Sequence, residues 1–207
     1  MTSPPSSGGV CPQLVLLDGA TGSGKSSLLR HLRDEYSSSV FVGKKFTTRQ
    51  QRIGDNTWEF RFVERIPERY SECSFESVGN RYAVNCDEVK QAIDRGLIYA
   101  ITCVDRPTIE TLMSDFNAVA VYVYRAWTPA DLESVLDSRG TVDALDAQLR
   151  REEVASVASQ YLEKIEFYDH VVLNVGGQTN MIEQLSKILL SYGISPDSVR
   201  DGVAATF

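Results

Sequence analysis

Only two histidines, His31 and His170, occur among the 207 residues, and the four cysteines (Cys11, Cys73, Cys86 and Cys103) show neither a C-x-x-C pair nor metal-type spacing. That poverty of ligands excludes a zinc site, and the cysteines read as reduced, structural thiols of an intracellular chain. No apolar run approaches the length that crosses a bilayer, so no membrane partner is expected. Basic residues are outnumbered, 21 Lys and Arg against 28 Asp and Glu, for a net charge of −7. Nucleic acid is therefore not an expected partner, because an extended surface for it needs clustered basic side chains. The 9% aromatic content forms no stacking series either. A small basic pocket for one phosphorylated molecule remains compatible with the overall charge. The first nine residues are rich in Ser, Pro and Gly and lack the basic-then-apolar order of a secretion signal. In the absence of a targeting signal the expected location is cytoplasmic.

What is present is an ordinary globular composition, 43% hydrophobic, of a length that suits one α/β domain. We expect a flexible tail over residues 1–12, a single domain over 13–193 and a polar C-terminal tail over 194–207. Short apolar runs alternate with helix-like runs. Leu14 to Leu17, Val40 to Val42, Leu97 to Ile101, Asn117 to Tyr124 and Val171 to Asn174 read as strands. Trp58 to Val63 alternates bulky and polar residues as an exposed strand does. Tyr70 to Val84 is also strand-like, with a turn at Gly79-Asn80. Asp87 to Arg95 reads as a helix capped by Asp87 and stopped by Gly96. A long charged helical section from about Pro129 to Phe167 breaks near Gly140, and Thr179 to Tyr192 is the last helix. Strands separated by helices predict a mostly parallel sheet flanked by helices. Residues of about 45–85 lack core helices and predict a small mixed or antiparallel lobe.

The strongest signal is Gly19-Ala20-Thr21-Gly22-Ser23-Gly24-Lys25-Ser26, a complete G-x-x-x-x-G-K-[ST] loop between an apolar strand and an amphipathic helix. Glycines let successive backbone N–H groups turn inward around a phosphate chain, and the helix adds its positive end. Lys25 reaches the β- and γ-phosphates and the Ser26 hydroxyl is the metal ligand, for Mg²⁺. The loop with Ser27 is thus the expected ATP site.

The order of further motifs resembles the guanylate kinase family. Thr47-Thr48-Arg49-Gln50-Gln51-Arg52 is similar to its T-T-R-x-x-R segment, and Phe60-Arg61-Phe62-Val63 to its Y-x-F-V strand. Gly79-Asn80-Arg81-Tyr82-Ala83-Val84 resembles G-N-x-Y-G-[ST], Arg139-Gly140-Thr141 the lid signature R-G-T, and Phe167 to Asn174 the F-D-x-V-I-V-N ending. The resemblance covers about Leu14 to Leu190. It implies a P-loop NTPase three-layer α/β fold with an acceptor-binding lobe at about 45–85 and a helical lid at about 128–152. It further implies transfer of the ATP γ-phosphate to the phosphate of a nucleoside monophosphate or related acceptor, with ATP and Mg²⁺ as cofactors. By position, Arg49, Arg52 and Tyr82 hold the acceptor's phosphate, Arg139 and Arg150 close over the transferring group beside Lys25, and Asn174 lies near the adenine.

Departures from the family concentrate where the base is read. Val84 stands in place of a hydroxyl residue, and Cys73 in place of a glutamate, with Glu72 one residue early. Lys45 replaces a serine and Phe60 a tyrosine, and Thr102 and Asp105 stand around the altered D-x-D strand end. Loss of groups that pair with guanine removes the basis of guanine selectivity, so the acceptor need not be GMP. Lys44 and Lys45 suit a more anionic acceptor, with a second phosphate or a carboxylate. Asp105 is a candidate metal-water ligand or acceptor contact, and equally a helix cap before Arg106-Pro107. The alternatives are a hydroxyl-directed nucleoside or sugar kinase, with Asp105 or Glu72 as its base, and a non-catalytic binding module. The oligomeric expectation is a monomer or homodimer.

Overall fold

In the computed structural model the described residues are 10–51, 55–77, 79–138, 144–159, 166–175 and 177–198. Strand β1 (Leu14–Asp18) runs into the glycine loop and helix α1 (Lys25–Glu35). There follow β2 (Val40–Val42), β3 (Lys45–Thr47), β4 (Phe60–Phe62), a 3₁₀ turn (Glu68–Cys73), β5 (Ser74–Ser77) and β6 (Asn80–Ala83). Helix α2 (Cys86–Asp94), β7 (Ile98–Thr102), α3 (Arg106–Asp115) and β8 (Ala118–Tyr124) come next. Helices α4 (Pro129–Ser138) and α5 (Ala144–Ser159), β9 (His170–Leu173) and α6 (Gln178–Ser191) complete the order.

Two sheets result. The larger is all parallel, in the order β2-β7-β1-β8-β9, and the smaller is mixed, in the order β4-β3-β6-β5. Parallel strands covered on both faces read as continuous apolar runs, and β1 is buried at all five positions. Its side chains alternate between two cores. Val15 and Leu17 pack with Leu28, Leu29 and Leu32 of α1 and Leu185 and Leu189 of α6, while Leu14 and Leu16 pack with Val89 of α2 and Ile109 and Leu112 of α3. The chain reverses direction across the sheet at β1, so its C-terminal end opens a crevice where this class of sheet binds ligands. Among the described residues no helix is long and apolar enough to cross a membrane.

Several local expectations are corrected. Strand β3 lies where the sequence reading assigned no strand, because the burial of Lys45 and Thr47 comes from partners distant in sequence. The run from Tyr70 begins as a 3₁₀ turn rather than a strand. Trp58 precedes β4 in a turn, under the guanidinium of Arg33 at 4.6 Å. Helix α2 is capped by Asn85, whose Oδ1 accepts from Glu88 N at 3.2 Å. Asp87 accepts instead from the Tyr70 hydroxyl at 2.8 Å. Gly96 does follow the helix end, with φ +74°. Ile194, just after the last helix, is buried in the core.

Candidate functional site

The glycine loop is fixed by what surrounds it. Gly19 has φ +143°, and a Cβ there would fall 2.3 Å from the Val123 carbonyl oxygen. Gly24, with φ +112°, is the N-cap of α1, so the helix starts without a side-chain cap and with no acidic residue in its first turn. Uncapped N–H groups at a helix start are a ready anion site. Lys25 Nζ donates to the Gly19 carbonyl and, at 2.9 Å, to that of Ala20. Asp18 accepts from Gly19 N and from the Tyr168 hydroxyl, so it orients the loop entry. Burial and the Asp18 carboxylate both push the Tyr168 phenol well above its ordinary value.

A cleft of about 370 Å³ lies between the loop and the smaller sheet. Thr21, Gly22, Gly24, Lys25, Ser26 and Ser27 form one wall. Phe60, Phe75, Ser77 and Tyr82 come from the smaller sheet, Thr102 from the end of β7, and Arg150 and Glu153 from α5. Arg150 is buried and its Nη1 donates to Thr21 Oγ1 at 2.7 Å. The structure therefore brings Lys25, Ser26, Phe60, Tyr82, Thr102 and Arg150 of the expected set to one cavity.

One corner of that cavity has a constitution the sequence reading missed. Lys45, 7% exposed, donates to Thr102 Oγ1 and, at 3.5 Å, to Oε1 of Glu59, itself 3% exposed. Thr102 Oγ1 also donates to Glu59 Oε1 at 3.2 Å. Among the described residues Glu59 Oε2 has no hydrogen-bond partner, and Glu59 lines the cavity. Burial draws the Lys45 ammonium below its ordinary value, while Glu59 holds it up. The expected extra positive charge for an anionic acceptor is thus neutralised inside the protein. Lys44 is exposed, and its backbone N donates to Glu88. Glu59 carried no separate signal, because it falls in an alternating run read as exposed.

Other expected site residues lie elsewhere. Val84 is fully buried in the core with Val89 and Ile109. Glu72 is exposed on the 3₁₀ turn and takes no part in the cavity lining. Asp105 caps α3, its Oδ2 accepting from Thr108 N at 2.9 Å and from the Thr108 hydroxyl at 2.7 Å. Arg49 is buried beside the Phe60 ring, and both its terminal nitrogens donate to Asp55, at 2.8 and 2.9 Å. Burial, the largest single influence, opposes its charge, but Asp55 and Tyr82 together outweigh it and raise its pKa. Arg52 and Arg139 fall outside the described residues.

On the far side of the loop, Asn174 Nδ2 donates to the Ser23 carbonyl at 2.8 Å. It lines a second cleft of about 480 Å³ with Gly22, Ser27, Met181 and Arg125, a further residue the sequence did not single out. Arg125 Nη1 donates to the Gly22 carbonyl at 3.3 Å, and its guanidinium lies 4.2 Å over Trp127. Its position directly after β8 was the signal available.

No protein-family model matches the sequence. Among solved structures, a guanylate kinase from Anaplasma phagocytophilum aligns with 97% of this chain and 98% of its own length, at TM-score 0.56 and 17% identity. A shikimate kinase from Bacteroides thetaiotaomicron aligns with 86% of this chain and 99% of its own, at TM-score 0.45 and 11% identity. With its five-stranded parallel sheet, glycine loop and second mixed sheet, the chain has a P-loop kinase fold.

Proposed function

We propose that this protein is an ATP-dependent phosphotransferase that moves the γ-phosphate to the phosphate of a small phosphorylated acceptor, a nucleoside monophosphate or a related molecule other than GMP. The observation that carries the reading is that Lys25, Ser26, Tyr82, Phe60, Thr102 and Arg150 line one cavity. The uncapped start of α1 and the close-fitting glycines suit a triphosphate tail. Lys25 and the loop N–H groups would hold its phosphates, and Ser26 would ligate the metal. When bound, Mg²⁺-ATP supplies the phosphoryl group and the charge that neutralises its oxygens. Arg150 stabilises negative charge in the cavity, while Tyr82, with Arg52, positions the acceptor's phosphate, and Arg49 joins them only on release from Asp55. Such an acceptor is already anionic, so catalysis rests on positioning and electrostatics. α5 closes the mouth against water. The Lys45–Glu59–Thr102 corner stands where a base-reading set is expected and presents a neutralised, hydrogen-bonded surface to the acceptor.

The test is ATP turnover against GMP, dGMP, AMP, CMP, UMP, dTMP and phosphorylated sugars, with Lys25→Ala as the blank. We expect one acceptor other than GMP to be used, and Lys25→Ala to lose at least ~100-fold in rate. GMP turnover at kinase-like rates would sink the altered-pocket reading, and silence throughout would favour a binding module. One observation favours a second reading, a hydroxyl-directed kinase. Glu59 Oε2 is a buried, unpartnered oxygen in the cavity wall, better placed as a base than Asp105 or Glu72. In that case Glu59→Gln abolishes turnover of an unphosphorylated hydroxyl substrate.

A further inference from the structure

Cys73 and Cys86 are 13 residues apart in sequence, yet the fold brings their sulfurs to 2.8 Å, with the Cys86 thiol donating to Cys73 Sγ. Both are reduced. Each is held by its backbone surroundings. Cys73 ends the 3₁₀ turn, and its carbonyl accepts from Val84 N at 3.0 Å across the mouth of the β5–β6 hairpin. Cys86 is the first residue of α2, directly after the Asn85 cap. Cys73 is buried and Cys86 half-buried, so one sulfur is reachable from solvent and the other waits behind it. Closing to a disulfide bond of about 2 Å requires less than ~1 Å of movement.

We propose that Cys73 and Cys86 form a site of reversible oxidation, closing to an intramolecular disulfide when the protein meets a low-molecular-weight disulfide. Cys86 Sγ attacks one sulfur of that reagent. Its S–S bond breaks, and the first small thiolate leaves with the Cys86 proton. Cys73 Sγ then attacks Cys86 Sγ, the mixed disulfide breaks, and the second small thiolate leaves with the Cys73 proton. Two cysteine sulfurs are oxidised and the reagent is reduced to two thiols. The hydrogen bond from Cys86 lowers the pKa of the Cys73 thiol and raises that of Cys86, so Cys73 is the better nucleophile of the pair and suits the resolving step, while Cys86 attacks first because it is the one that solvent reaches. Cys103 is a poor competitor, because it is fully buried.

The bond would tie together the two ends of the hairpin that carries Phe75, Ser77 and Tyr82 into the cavity wall. The test is independent of the proposed activity. The full-length protein is incubated with oxidised glutathione, free thiols are alkylated, and a non-reducing digest is mapped by mass spectrometry. We expect a linked peptide pair carrying Cys73 and Cys86 with the loss of two hydrogens, and Cys103 alkylated. We also expect an upward shift of the thermal midpoint that dithiothreitol reverses. The Cys86→Ser variant, treated alike, retains Cys73 as a free thiol. The inference is overturned if Cys73 and Cys86 are both alkylated in the treated wild type, if either carries only glutathione, or if the link joins either of them to Cys11.

Discussion

At the scale of single residues, the decisive group in the cavity is a buried ion pair. Lys45 and Glu59 are both nearly inaccessible, and each is the other's charge partner. Removing one member of such a pair strands a charge in low dielectric, whereas removing both is often close to neutral. Glu59→Leu should therefore destabilise the protein by about 3 kcal/mol or more, and Lys45→Met with Glu59→Leu should recover most of that loss. Urea unfolding of the wild type, both single variants and the double variant checks this, and simple additivity of the two effects would refute the coupling. The glycine loop between β1 and α1 was legible from the sequence because its pattern is local: the glycines, Lys25 and Ser26 fall within eight consecutive residues. The Lys45–Glu59 corner was not, because it exists only once the end of β7 sits between β3 and the turn before β4. The Cys73–Cys86 contact was hidden for the same reason: its spacing matches no motif, and a hairpin creates it.

Among the elements, the strands of the parallel sheet were legible because burial on both faces leaves uninterrupted apolar runs, as in β1 and β8. Strand β3 was not, since Phe46 is its only apolar residue. Helix ends were half legible. Gly96 marks one correctly, but Asn85, not Asp87, caps α2, because its side chain is the one that reaches the N–H three residues on. Asp105 shows how a candidate site residue resolves at this scale. Its carboxylate is taken up by Thr108 at the start of α3. Asp105→Ala should cost about 1 kcal/mol of stability and leave the KM of any acceptor unchanged. Thermal melts alongside steady-state kinetics check both parts, and a tenfold rise in acceptor KM would return Asp105 to the binding site.

For the whole molecule, the cavity depends on contacts between distant parts of the chain. Arg150 reaches Thr21 across 129 residues and joins α5 to the loop. On the proposed reading, Arg150→Ala should lower kcat by roughly 10²–10³-fold. Thr21→Val removes only the arginine's partner and should keep most of the turnover. Equal losses in the two variants would mean that the contact positions the loop and that the guanidinium carries no catalytic charge effect.

The strand order bears on how the chain is made. β1 is made before both of its neighbours, which are β7, beginning at Ile98, and β8, beginning at Ala118. α6, which covers one of its faces, follows only at Gln178–Ser191. A strand buried at all five positions therefore waits, unpaired, while the roughly eighty residues between Asp18 and Ile98 are made. Nascent segments of that kind are prone to aggregate, and they depend on holding factors or on a solubilising N-terminal neighbour. The yield of folded protein should be more sensitive to translation rate and to chaperone supply than the stability of the finished fold would suggest.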